Sequence, residues 1–186
     1  SAFFNLTLLK RLSIMNTQLK RINENIFSKM TNLDALTIWK NNQLSFIHPD
    51  AFFHLSKLRE LILYKNPLLS SLDKRLFSKL TNLRTLKMDR NSIDFLDEDA
   101  FKGLSHLESL DVTSNRISTL NRKLFSGLKR LSVLHITNNR LSYIHQSTFS
   151  DLTNLKRLSF GDNIISQIDK ALFTGLYRLQ YLTINR

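Results

Sequence analysis

Residues 83–106 read LRTLKMDRNSIDFLDEDAFKGLSH, and residues 107–130 read LESLDVTSNRISTLNRKLFSGLKR. Laid one over the other, they share a single frame, L-x-x-L-x-L-x-x-N-x-L/I-x-x-I/L-x-x-x-x-F-x-x-L. Downstream, residues 131–154 and 155–178 keep the same register, and a partial unit occupies 179–186. Upstream, full units start at 9, 33 and 58, with a partial one over 1–8. The phenylalanines make the beat plainest: Phe3, Phe27, Phe52, Phe77, Phe101, Phe125, Phe149 and Phe173 recur every 24 or 25 residues. A fixed period of this length marks a stack of identical structural units and not one irregular core. Function is then to be sought on the variable positions between the fixed ones.

The frame has a direct physical reading. In L-x-x-L-x-L the last two apolar positions alternate with polar ones, the period-two signature of a short half-buried strand. Pairs such as Leu86/Met88, Leu110/Val112 and Leu134/Ile136 point inward, and their alternates form the opposite face. Parallel strands need long crossovers, which the rest of each unit supplies. Its apolar residues, for example Ile117, Leu120, Phe125 and Leu128, close the coil from behind. Each Phe ring, burying roughly 150–250 Å², fills the broad convex side.

The asparagine column comprises Asn41, Asn66, Asn91, Asn115, Asn139 and Asn163, with Thr17 in the first unit. An amide carries two donors and an acceptor, so a stacked column predicts a ladder that satisfies the bend after each strand. That is a structural role. Two units are one residue longer, with the extra residue just after the asparagine, in NNQL (41–44) and NPLL (66–69). Pro67 lacks an N–H and suits an irregular bend there. These paired insertions predict a local change of curvature on one rim.

This frame resembles the leucine-rich repeat. The resemblance covers the whole chain and implies an α/β repeat: a leucine-rich-repeat solenoid with a concave parallel β-sheet and a mostly irregular convex side carrying a phenylalanine spine. The 24-residue unit with its Phe resembles the extracellular "typical" subclass. Among relatives, the chain looks like a Toll-type receptor ectodomain or a secreted animal immune protein. The paired longer units, as in NNQLSFIHPDAF, are similar to the ectodomains of leucine-rich-repeat G-protein-coupled receptors. Extracellular placement is what the resemblance implies. The sequon Asn5-Leu6-Thr7 makes Asn5 a candidate glycosylation site in such a compartment.

Composition bounds the rest. The hydrophobic fraction of 42% is ample for a core, and no apolar run reaches the roughly 18 residues that span a membrane. No targeting signal is visible. Repeat arrays need terminal caps with a polar outer face, and neither is present in the frame; the expectation is an internal piece of a longer array, or its only ordered part. The absence of Cys therefore says little about redox compartment, since extracellular members of the resembled family keep their disulfides in those caps. The net charge of +12 makes nucleic acid or another polyanion a candidate partner. Lys and Arg fall on strand, loop and back positions alike (Lys10, Lys20, Lys74, Lys102, Arg122, Lys170), so no dedicated phosphate track on one face is evident.

In such a coil the outward strand positions line a concave sheet. One column reads Ser13, Thr37, Ile62, Lys87, Asp111, His135, Ser159, Thr183, and the next Met15, Trp39, Tyr64, Asp89, Thr113, Thr137, Gly161, Asn185. Met15, Trp39, Ile62 and Tyr64 form an apolar and aromatic cluster facing solvent, with Lys87, Asp89, Arg90, Asp111 and His135 beside it. Exposed contiguous apolar surface marks an interaction site, and Trp, Tyr and Arg dominate interface energies. The competing structural role is that Trp39 and Tyr64 merely cover each other across adjacent strands. Catalysis has little support. The five histidines fall at different phases of the repeat, no nucleophile has a positioned base, and metal-ligand spacing is absent. Three of four glycines (Gly103, Gly127, Gly175) share the F-x-G-L slot, a turn requirement. The reading is a non-enzymatic extracellular recognition module that binds a protein ligand on its concave face, without cofactor or metal. A homo- or heterodimer partner, polyanion binding through the basic surface, and a self-associating structural array stand as alternatives.

Overall fold

The computed structural model describes residues 5–185, so Phe3 of the spine lies outside the described residues. Eight strands make one parallel sheet: β1 (Arg11–Met15), β3 (Ala35–Trp39), β5 (Glu60–Tyr64), β6 (Thr85–Lys87), β7 (Ser109–Asp111), β8 (Val133–His135), β9 (Arg157–Ser159) and β10 (Tyr181–Thr183). Each inner strand pairs with the strand one unit before and one unit after it, and β1 and β10 form the two edges. The short strands β2 (Arg21–Ile22) and β4 (Phe46–Ile47) pair separately. The crossovers among the described residues are turns throughout, with no helix. Sequence order and spatial order in the large sheet coincide, as in a coil that advances one strand per turn.

Burial follows the period-two reading. Leu36 and Ile38, Leu61 and Leu63, Leu110 and Val112, and Leu134 and Ile136 are all buried, while the residues between them are half-exposed. Behind them the rings of the spine stack unit on unit. Phe27–Phe52, Phe77–Phe101, Phe101–Phe125 and Phe125–Phe149 have centroids 6.0–6.4 Å apart and interplanar angles of 25° or less. Near the end, Phe160 replaces an inward aliphatic residue and sits between Phe149 (6.4 Å) and Phe173 (6.5 Å). It carries the aromatic column across.

The asparagines form the expected ladder, but in two registers. In the later units each amide oxygen accepts from the residue two past the preceding asparagine: Ile93 N–H to Asn115, Ile117 N–H to Asn139, Leu141 N–H to Asn163. In the early units it accepts from the column residue itself: Thr17 N–H to Asn41, Asn41 N–H to Asn66, Asn66 N–H to Asn91. The amide NH₂ groups donate to strand carbonyls, Asn115 to Met88 (2.9 Å) and Val112 (3.0 Å). The extra residue in the two longer units explains the difference there, because the loop returns one residue later, with Leu44 N–H bonding Asn41 and Leu69 N–H bonding Asn66. The three strands of the large sheet on this side are five residues long, against three for its other five.

Candidate functional site

The register places both predicted columns on one face of the sheet. Ser13, Thr37, Ile62, Lys87, Asp111, His135, Ser159 and Thr183 are successive partners across the eight strands, and Met15, Trp39 and Tyr64 align beside them. Beyond Tyr64 the strands are shorter, yet the ladder runs on, with Lys65 N–H bonding Asp89 and Arg90 N–H bonding Thr113. Asp89 therefore continues the second column.

Trp39 and Tyr64 do cover each other: their rings stack at 6.2 Å and 22°. They are not sealed, since both remain half-exposed and Met15, 50% exposed, flanks Trp39 on the next strand. Cations frame the stack. Lys40 Nζ lies 5.0 Å from the Trp39 ring and the Arg90 guanidinium 5.8 Å from Tyr64. Both belong to a column the sequence reading missed. The residue before Thr17 and before each asparagine of the column adopts the left-handed conformation: Asn16, Lys40, Lys65, Arg90, Ser114, Asn138 and Asp162, with φ of 49–56°. One such residue per unit turns the chain out of the sheet. Asn and Asp tolerate that geometry, whereas Lys and Arg give no sequence signal for it.

Charge is mixed at the centre of the face. Asp111 accepts from the Thr113 N–H at 2.9 Å and lies between Lys87 and His135 in register. Burial beside the Asp111 carboxylate raises the Asp89 pKa, only partly offset by a backbone hydrogen bond and by Lys87 and Arg90. Among the described residues no hydrogen bond joins His135 to Asp111. The other histidines are engaged elsewhere. Contrary to the expectation that all five histidines differ in phase, His48 and His145 share one, and each accepts, through Nδ1, the backbone N–H two residues on (3.1 Å), as Asp73, Asp97, Asn121 and Asp169 do at the same point of their units. This capping column also escaped the sequence reading, because its members share an acceptor atom and not a residue type. No group of His, Asp or Glu able to hold a metal occurs among the described residues.

Lys and Arg occur on strand, loop and back positions alike, but the carboxylates do not accompany them evenly. The carboxylates crowd the convex side, while the flank on which the strands begin carries Lys10, Arg11, Lys57, Arg59, Arg84, Arg130, Lys156, Arg157 and Arg178 against Asp34, Glu60 and Glu108. Asn5 is exposed on a turn, and the carbonyl of its sequon threonine, Thr7, accepts from Asn32. No helix among the described residues is long and apolar enough to cross a membrane.

The family model described as leucine rich repeat matches residues 31–93, 81–141 and 129–186. No curated protein matches the chain significantly. Among solved structures, the chain is similar to one in a TLR13–ssRNA13 complex, at 30% identity over 94% of this chain and 24% of that one, with a TM-score of 0.84. It is also similar to one in the Toll–Spatzle complex of Drosophila, a molecular hub in development and innate immunity (22% identity, 98% and 27% covered, TM-score 0.79). The glycosylated form of that complex gives a TM-score of 0.77 at the same identity and coverage. At 22% identity the likeness is one of fold. The chain spans about a quarter of the length of each.

Proposed function

The chain belongs to the leucine-rich repeat family, and from that premise we propose that it is an extracellular, non-enzymatic recognition module of receptor or immune type, binding a protein ligand on its concave face. The observation that carries the reading is the Trp39–Tyr64 stack. It is half-exposed, with Met15 and Ile62 beside it on the same face, and framed by Lys40 and Arg90. A flat aromatic surface offers large contact area at little conformational cost and is the commonest source of interface energy. Ile62, Lys87 and Asp89 adjoin it, and Asp111 and His135 continue the face on the next two strands. Their mixed charges orient a partner and reject wrong ones more than they add affinity. The two neighbours above are themselves ligand complexes, which supports a recognition role. Asn5 is the proposed glycan acceptor.

The test is a screen of the chain against an array of secreted proteins, with Trp39→Ala/Tyr64→Ala as the paired variant. Partners of the native chain should lose at least about tenfold in affinity for the variant, since central aromatic anchors are worth roughly 2 kcal/mol or more. Partners that bind a correctly folded variant equally well would place recognition elsewhere.

A further inference from the structure

The flank on which the strands begin is built as a track. Along it the residue before each strand donates its N–H to the same residue one unit earlier, from Lys10 to Gln180, at 2.8–2.9 Å throughout. Successive side chains are thus held one strand spacing apart, about 4.8 Å. Among them stand Arg59, Arg84 and Lys156, with Lys57, Arg130 and Arg178 alongside at the ends of the preceding units. A groove of about 660 Å³ lined by Lys10, Arg59, Arg84 and Arg130 together with Asp34 shares Arg130 with one of about 280 Å³ lined by Lys156 and Arg178 together with Glu108. Arg59 and Arg84 meet Asp34 (3.6 Å) and Glu108 (2.8 Å). Among the described residues, no carboxylate pairs with Lys10, Arg130, Lys156 or Arg178.

What the track lacks is equally informative. Proteins that hold single-stranded nucleic acid combine charge with aromatic platforms for the bases. Here the Arg157 guanidinium occupies one face of the Tyr181 ring at 4.6 Å. The Trp39–Tyr64 stack lies at the other end of the strands, roughly 16 Å away at about 3.3 Å per residue. Amides could read base edges, but those of Asn32, Asn82 and Asn154 donate to the carbonyls of Thr7, Ser56 and Lys129. No Phe, Tyr or Trp lines either groove, and the one ring among their lining residues, His106, is tied through Nδ1 to the Thr81 carbonyl at 3.0 Å, so the flank is built to recognise anionic groups. Arg is suited to that task, since its guanidinium forks onto paired oxygens.

We propose that this flank is a binding track for a linear sulfated polysaccharide, separate from the protein-binding concave face. The test uses heparin as the probe on the full chain, with affinity measured across a salt series. A short single-stranded RNA and a duplex DNA serve as competitors. Two variants of equal net charge are compared: Arg130→Glu/Lys156→Glu/Arg178→Glu on the flank, and Arg122→Glu/Lys123→Glu/Lys170→Glu on the convex side. All six side chains are exposed, and circular dichroism verifies folding. The native chain should bind heparin with salt-dependent affinity. The flank variant should lose roughly tenfold or more with a shallower salt slope, while the convex variant and Trp39→Ala/Tyr64→Ala retain binding. Absence of heparin binding, equal loss in both charge variants, or displacement of heparin by either nucleic acid at lower concentration would each overturn the assignment.

Discussion

Asn115 closes three buried valences with one side chain, donating to Met88 and Val112 and accepting from Ile93. Asn115→Ala orphans those backbone groups in the interior, at about 1–3 kcal/mol for each one left unsatisfied. Urea denaturation should accordingly show a loss of at least about 2 kcal/mol. Asn163, half-exposed, has water available to replace the amide, so Asn163→Ala should cost less. Asp89 makes the residue-scale prediction for pH. Its folded pKa is raised by burial and by Asp111, so between the unfolded and folded values the native state holds a proton that the unfolded chain has released. The stability this confers is present below the unfolded pKa and is lost as pH rises through the folded one. Asp89→Asn should raise the denaturation midpoint at neutral pH, and the gain should vanish in strong acid. The asparagine column was legible in the sequence because one residue type fills it. The capping column was not, because Asp73, Asn121 and His145 share only an acceptor two residues ahead of a backbone N–H.

At the scale of the element, the repeat is a strand, a turn and a ring, and each was legible from spacing. What spacing could not give was how the ladder accommodates a longer loop. NNQL and NPLL announce an extra residue, yet the switch from accepting at the asparagine to accepting two residues later depends on where the returning backbone lies. Phe160 is a similar case. In the sequence it is one more inward apolar residue, and only the packing shows it bridging Phe149 and Phe173. The spine gives the element-scale prediction. Phe125 is buried between Phe101 and Phe149, so Phe125→Ala should cost about 3–5 kcal/mol. Phe173, only partly buried, should cost distinctly less by the same thermal or urea measurement. Equal losses would mean that the rings are not stacked as a column.

For the molecule as a whole, the coil separates three surfaces. The convex side carries the turns and most of the carboxylates, the strand-entry flank carries a cationic excess, and the concave sheet carries the aromatic stack. The concave columns could be written down in advance, because a parallel sheet advancing one strand per unit leaves no freedom in which residues align. The flank could not, since its character depends on where acidic residues are missing. Central to the account is a solvent-facing Trp39 on the concave sheet, and Trp39 is the only tryptophan of the chain, so its fluorescence reports on that point alone. With Lys40 5.0 Å from the ring, iodide should quench the native emission readily and caesium much less, the difference shrinking as salt screens the charge. Emission that neither ion quenches until the protein unfolds would place the ring inside the core and contradict the account.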